Sequence, residues 1–379
     1  MLQVDVRRAF PSFRLEVRFE AGPGGITALF GRSGAGKTTL VNLLAGLDRP
    51  DSGRIVLGGE VMFDAEAGID VAPERRRLGY VFQEDRLFPH LSVHANLVYG
   101  MRLVPRAERR IDYDQVVDLL GIGHLLERRP RRLSGGEKQR VAIGRALLTS
   151  PRMLLMDEPL ANLDAARRAE ILPFIESLRD DLEMPVVYVS HNMEEIIRLA
   201  DWVVLLSDGE AVAAGPVEEV MSRLDLRPMT GRYEAGAVLG VTVAGHDEEF
   251  ELTRLAFAGG ELKVSRLPLP KGARLRVRVR ARDVTLALTR PKDISFLNVI
   301  SGTVAEIEGD HGPQVDVLLH LGDPATADGE SRLWARITRR SAHDLGLAPG
   351  TAVFALVKAI AFDRHSLGLK GTKSRLVEE

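Results

Sequence analysis

Gly31, Arg32, Ser33, Gly34, Ala35, Gly36, Lys37 and Thr38, followed by Thr39, have the spacing of a phosphate-binding loop. Glycines in such a run let backbone N–H groups converge on phosphate oxygens, and a helix starting there adds the positive end of its dipole. Lys37 is placed to reach the β- and γ-phosphates, and the Thr38 hydroxyl suits a Mg²⁺ ion. The loop joins a predicted buried strand, Ile26 to Phe30, to a predicted helix over residues 38–45. By itself this pattern describes any P-loop nucleotide binder, kinases and GTPases included.

Two further clusters narrow that class. The apolar run 153–156 ends in Asp157 and Glu158, so one carboxylate can hold Mg²⁺ while the next polarises a water. Ser134, Gly135 and Gly136 stand between Leu133 and a helical pattern, offering a hydroxyl and helix-terminal N–H groups to a second anion. Two such sites, far apart in sequence, can grip one phosphate group from two sides.

With these residues in view, the sequence resembles the ABC ATPase family, whose signature is Leu-Ser-Gly-Gly followed by a polar residue; Glu137 stands where glutamine is frequent. The resemblance implies a head-to-tail pair of subunits, with ATP between the phosphate loop of one and Ser134, Gly135 and Gly136 of the other. It implies that Gln83, in Tyr-Val-Phe-Gln-Glu, senses Mg²⁺ and water, completing a metal set with Thr38 and Asp157. Asp164, in Ala-Asn-Leu-Asp, would cross the dimer interface. His191 would contact the γ-phosphate, and Lys37, Gln83, Glu158 and His191 would form the catalytic group. Adenine would stack on an aromatic residue upstream of the loop, with Phe10 the first choice and Phe13 the second.

Cargo must be sought outside this shared chemistry. The stretches around Gly25 to Leu40 and Pro73 to His90 resemble the ATPase family of bacterial molybdate importers. The tail resembles that family's Mop domain in Ile294-Ser-Phe-Leu-Asn-Val, Trp334-Ala-Arg-Ile-Thr-Arg-Arg-Ser and Leu345-Gly-Leu-Ala-Pro-Gly. The resemblance implies a homodimer on the cytoplasmic face of the inner membrane, working with two membrane permease subunits and, indirectly, a periplasmic oxyanion-binding protein. ATP and Mg²⁺ are the implied cofactors. In the tail, Ser295, Ser341 and Lys358 could surround a tetrahedral dianion. Related oxyanion modules carry an arginine where Leu297 stands, which leaves a dimerising or docking role open beside a sensor. Sulfate, tungstate or another oxyanion is the alternative cargo, and after these a sugar or polyamine. A soluble ABC ATPase acting on nucleic acid or ribosomes is the reading from another class.

The elements that must position these residues follow from pattern and composition. The chain has 379 residues, enough for more than one core. Its 51 Lys+Arg nearly balance 53 Asp+Glu, for a net charge of -2, which argues against bulk nucleic-acid binding. There is no cysteine, so disulfides and thiolate metal sites are excluded. No apolar run approaches the roughly 18 residues that span a bilayer, and the N-terminus lacks a signal-peptide pattern, so a membrane role is expected to run through a partner chain.

Short apolar runs alternating with helical patterns predict an α/β ATPase domain over 1–230, a RecA-like core plus a helical subdomain. A tight Asp208-Gly209 turn should close a hairpin between 202–206 and 210–214. Beyond a boundary near 227–234, alternating segments predict a β-rich connecting part over 231–290. A small all-β, OB-like Mop domain follows over 291–360, then a tail over 361–379. Arg274, Arg276, Arg278, Arg280 and Arg282 alternate with apolar residues, which predicts a strand with its arginines on a wet face. His90 and His94 have the i, i+4 spacing of ligands on a helix, without a third ligand nearby. Arg128-Arg-Pro-Arg-Arg132 reads as a solvated basic edge.

Overall fold

The computed structural model describes residues 1–22, 25–161, 163–180, 182–221, 223, 226, 236–309, 312–322, 331–359 and 367–370. The chain divides into two compact units, Met1–Pro216 and Val217–Thr372. The expected boundary segment 227–234 and most of 361–379 lie outside the described residues.

The first unit is organised by one eleven-stranded sheet. Its order is Ile69–Asp70, Glu60–Asp64, Ser52–Leu57, Leu2–Phe10, Phe13–Ala21, Glu210–Pro216, Trp202–Ser207, Ile26–Phe30, Val186–Ser190, Met153–Asp157 and Leu78–Val81. The strands Ile26–Phe30, Val186–Ser190 and Met153–Asp157 are buried at every position, as expected of parallel strands covered on both faces. Register then decides where chemistry can occur. Phe30 pairs with Ser190 and Asp157 with Val189, so the chain leaves all three strands at the same edge. Val81 pairs with Met156, which brings the segment containing Gln83 to that edge as well. Ligand sites of open α/β sheets form at such carboxyl ends. The hairpin is present, with Asp208 and Gly209 at φ 49° and 87°, the two left-handed positions of a type I′ turn.

The second unit is β-rich. One antiparallel sheet runs Gly260–Ser265, Leu252–Phe257, Gly236–Asp247, Arg274–Arg280 and Leu367–Lys370. The other runs Val284–Ala287, Ala352–Val357, Asn298–Glu308, Gln314–Leu321 and Ser331–Thr338. Both sheets feed one core, which includes Leu239, Leu255, Val277, Val317, Leu333 and Trp334. Asn298 pins them together. Its Oδ1 accepts the Lys263 amide at 2.6 Å and its Nδ2 donates to the Lys263 carbonyl at 3.0 Å.

Two expectations need correction. The arginine strand does form over Arg274–Arg280, but Arg276 and Arg278 are only 1% and 5% exposed. Period two assigns faces without saying what covers them. Here a short helix, Val217–Met221, packs on the sheet, and its Glu218 Oε1 accepts the Arg276 Nε–H at 2.8 Å. The middle of the stripe, Arg276 and Arg278, is therefore internal, while Arg274 and Arg282 stay exposed as expected. His90 precedes the helix Val93–Met101 instead of lying on it, so the i, i+4 geometry does not exist. The His94 ring is 2.7 Å from the Tyr113 hydroxyl.

Candidate nucleotide site

The phosphate loop turns directly out of the strand Ile26–Phe30 into the helix Lys37–Ala45. Two glycines make that turn feasible. A Cβ on Gly31 would stand 2.2 Å from the Leu206 carbonyl oxygen. Gly36 has φ 98°, and a Cβ there would meet the Leu15 side chain at 2.7 Å and the Phe13 ring at 2.9 Å. Lys37 lies 5% exposed, folded back so that its Nζ donates to the Gly31 carbonyl at 2.8 Å and the Arg32 carbonyl at 3.0 Å. Burial lowers its pKa, while Glu158 and Asp157 oppose that shift.

Opposite the loop stand the paired carboxylates. Asp157 is 4% exposed, and its Oδ1 is buried with no hydrogen-bond partner. Burial raises its pKa and the Glu158 charge adds to this, against the Thr38 hydroxyl, Lys37 and Tyr80. An orphaned buried carboxylate oxygen is costly unless a cation takes it. A cavity of about 360 Å³ lined by Thr38, Gln83 and Asp157 has room for one. These donors are all oxygens, the set a hard divalent ion prefers.

Glu158 occupies the left-handed region at φ 45°, a conformation that costs a non-glycine residue about 1–3 kcal/mol. Its amide donates to the Val189 carbonyl and its carbonyl accepts the Ala161 amide, which hold the turn. The side chain is thereby aimed between Lys37 and His191. Glu158 Oε1 lies 3.9 Å from Lys37 Nζ, and Oε2 lies 3.3 Å from His191 Nδ1. Lys37, Asp157, Glu158 and His191 thus converge, with Thr38 and Gln83 along the adjoining cavity.

The signature residues do not join them. Ser134 caps the helix Gly135–Leu147 in a reciprocal box: its Oγ accepts the Glu137 amide at 3.3 Å, and its own amide donates to Glu137 Oε2 at 2.6 Å. That bond holds the Glu137 carboxyl below its usual range and explains glutamate at this position. Gly135 and Gly136 begin the helix, where amides have no intrahelical acceptor. Among the described residues, no hydrogen bond or ion pair links Ser134, Gly135 or Gly136 to the phosphate loop, Asp157, Glu158 or His191. Asp164 caps the next helix, its Oδ1 accepting the Arg167 amide at 2.9 Å. Arg128, in the basic edge, lies 3.9 Å from Glu137.

Phe10 is at the hairpin tip, 37% exposed, with the Arg8 guanidinium 5.1 Å from its ring centre. Phe13 lies 6.2 Å from it and, with Gly34, lines a cavity of about 370 Å³ beside the loop. In the second unit, Ser295 is exposed, and Ser341 turns its hydroxyl to Thr338 at 2.8 Å. The Lys358 ammonium lies 5.7 Å from the Phe296 ring centre. No hydrogen bond or ion pair joins Ser295, Ser341 and Lys358 among the described residues.

Several residues at this site escaped sequence reasoning. Tyr80 donates to Asn42 Oδ1 at 3.1 Å beside Asp157, and burial pushes its phenol pKa well up. Arg76, fully buried, caps the carboxyl end of the phosphate-loop helix through the Leu43 and Leu44 carbonyls at 2.7 and 2.9 Å. In the sequence Arg76 is the middle of three consecutive arginines, and nothing local distinguishes it from Arg75 and Arg77.

The chain resembles known proteins in both of its units. The ABC transporter family model matches residues 15–161, and the TOBE domain model matches residues 294–361. The molybdenum import ATP-binding protein ModC of Paramagnetospirillum magneticum is 54% identical over 364 residues, covering 96% of this chain and 98% of the relative. The protein of that name from Mesorhizobium japonicum is 54% identical over 367 residues, covering 97% of each. Among solved structures, cbiO1 from Clostridium perfringens, part of the ABC transporter complex cbiONQ, has TM-score 0.52 and 27% identity. It covers 59% of this chain and 92% of that one. The phosphate loop, the paired carboxylates and the detached signature helix therefore belong to an ATP-binding subunit of the ABC transporters, in the family of the molybdenum import ATP-binding proteins.

Proposed function

We propose that this chain hydrolyses ATP to energise molybdate uptake, as a head-to-tail homodimer beneath two permease subunits on the cytoplasmic face of the inner membrane. A periplasmic oxyanion-binding protein delivers the cargo to those permeases. The observation that carries the reading is an incomplete site: one chain gathers Lys37, Asp157, Glu158 and His191 but leaves its second anion-binding element detached. A second copy, turned end to end, supplies Ser134, Gly135 and Gly136 to the far side of the γ-phosphate.

In the closed pair, Lys37 exchanges its two loop carbonyls for phosphate oxygens, and adenine stacks on an exposed face of the Phe10–Phe13 pair. Thr38, Gln83 and Asp157 would hold Mg²⁺, which supplies charge neutralisation to the phosphate oxygens. Glu158 takes a proton from the attacking water, whose oxygen bonds the γ-phosphorus as the bond to the bridging oxygen of ADP breaks. His191, 3.3 Å from Glu158, fixes that carboxylate and faces the γ-phosphate. Asp164 crosses to the partner copy, and closure passes to the permeases through the segment around Gln83. No helix among the described residues is long and apolar enough to cross a membrane, which fits a peripheral subunit.

The cargo is tested by reconstituting the chain with its permeases and binding protein in vesicles. Molybdate-loaded binding protein should raise ATP turnover several-fold over the unloaded protein. Stimulation by sulfate but not by molybdate would overturn the cargo and leave the ATPase reading intact.

A further inference from the structure

Glu195 is a carboxylate that the proposed chemistry does not use, yet it is only 5% exposed beneath the turn that carries His191. Its Oε2 accepts two hydroxyl hydrogen bonds, from Tyr188 and Ser190, both at 2.8 Å. The Ser190 oxygen also accepts the Asn192 amide at 3.0 Å, so the residues on either side of His191 are tied to this one carboxylate. Its other oxygen, Oε1, lies 3.4 Å from Arg168 Nε. That nitrogen is buried and has no hydrogen-bond partner, so Glu195 is its charge partner. The far side of the same guanidinium reaches another segment: Arg168 Nη2 donates to the Leu163 carbonyl at 3.2 Å, and the Arg168 amide donates to the Asp164 carbonyl at 2.9 Å.

We infer that Arg168, 29% exposed, and the buried Glu195 are a positioning pair that locks the Leu163 and Asp164 segment to the His191 turn, so that the two move as one element. The inference rests on the reading of the site given above, in which Asp164 meets the partner copy and His191 faces the γ-phosphate. Among the described residues, no hydrogen bond or ion pair joins Arg168 or Glu195 to the phosphate loop. Their work is mechanical: arrival of the partner at Asp164 pulls on the Leu163 carbonyl, and the ion pair passes that displacement to Ser190 and His191. Such a pair is suited to this, because parting it leaves the buried Glu195 carboxylate without its cation, whereas moving the two together does not.

The test is ATP turnover by Arg168→Met, Glu195→Ala and the double variant, with Arg168→Lys and Glu195→Gln as the milder pair. Each is compared with the parent by kcat, KM and thermal midpoint. The inference predicts KM within about twofold of the parent and kcat lower by roughly ten- to a hundredfold, the scale set by small misplacements of catalytic groups. The double variant should be no slower than the worse single one, because the pair acts as a unit. Arg168→Lys should restore part of kcat, since an ammonium can still face Glu195. Should the methionine or alanine variants not fold, the lysine and glutamine variants carry the same comparison. Folded variants with parental kcat, or defects that multiply in the double variant, would overturn the inference. A parent that itself fails to hydrolyse ATP would instead overturn the reading of the site.

Discussion

Glu158→Gln protein will bind ATP yet turn it over about a hundred- to ten-thousandfold more slowly than the parent, the span of general-base contributions. Glutamine keeps the size and shape of the side chain, so it meets the same φ of 45° and the same backbone bonds to Val189 and Ala161. What it loses is a basic oxygen between Lys37 and His191. Electrostatics argue that nucleotide affinity will not fall with turnover. Glu158 adds to the upward pressure on the Asp157 pKa, so removing its charge makes Asp157 easier to ionise and a better cation ligand. The buried Lys37 loses its nearer carboxylate but keeps Asp157 and gains the phosphates. Steady-state turnover beside equilibrium ATP binding checks this; near-parental turnover would remove Glu158 from the role of base.

The largest effect on stability belongs to a residue outside the chemistry. Arg76→Met should destabilise the first unit by about 3–5 kcal/mol, the cost of breaking a buried charged network from one side. Arg76 is wholly buried and spends its donors on the Val71, Leu43 and Leu44 carbonyls and on Asp70. Asp70 is 40% exposed and can be rehydrated, and the Leu43 carbonyl keeps the Gly46 amide at 3.2 Å, but the buried Leu44 carbonyl would be left unpaired, at about 1–3 kcal/mol. For a domain of this size the thermal midpoint should fall by roughly 6–20 °C. Arg76→Lys, with one ammonium in place of a fork, should recover only part of the loss. Thermal denaturation followed by circular dichroism decides it, and a shift under about 2 °C would contradict the capping role.

The nucleotide site was largely legible in the sequence because its parts are local. A glycine run between an apolar strand and a helix is a short-range pattern, and the five-residue strands Ile26–Phe30, Met153–Asp157 and Val186–Ser190 are each mostly apolar. The turn at Asp208 and Gly209 is equally local. What stayed illegible depends on contacts between distant segments. Arg276 and Arg278 look like a solvated stripe until the fold shows both buried, with Glu218 of the helix Val217–Met221 meeting Arg276. Arg76 resembles its neighbours in a basic run, and only the fold shows that it ends in the cap of a helix 33 residues earlier. Glu195 has the same limitation, since its partners come from one strand and another helix. Asn298 stood within a recognised motif, yet its work is to bolt two sheets together through Lys263.

The central claim is that one chain holds half of a catalytic site and a second copy holds the rest. It is tested most directly by sedimentation of Glu158→Gln protein, which holds ATP without consuming it. The protein should sediment as a monomer without nucleotide and as a dimer at saturating ATP and Mg²⁺. Adding Ser134→Arg should keep ATP binding but abolish the dimer, because the new side chain blocks the partner's γ-phosphate from the helix end at Gly135. A protein that stays monomeric with ATP bound, or a Ser134→Arg variant that pairs as readily as its parent, would contradict it.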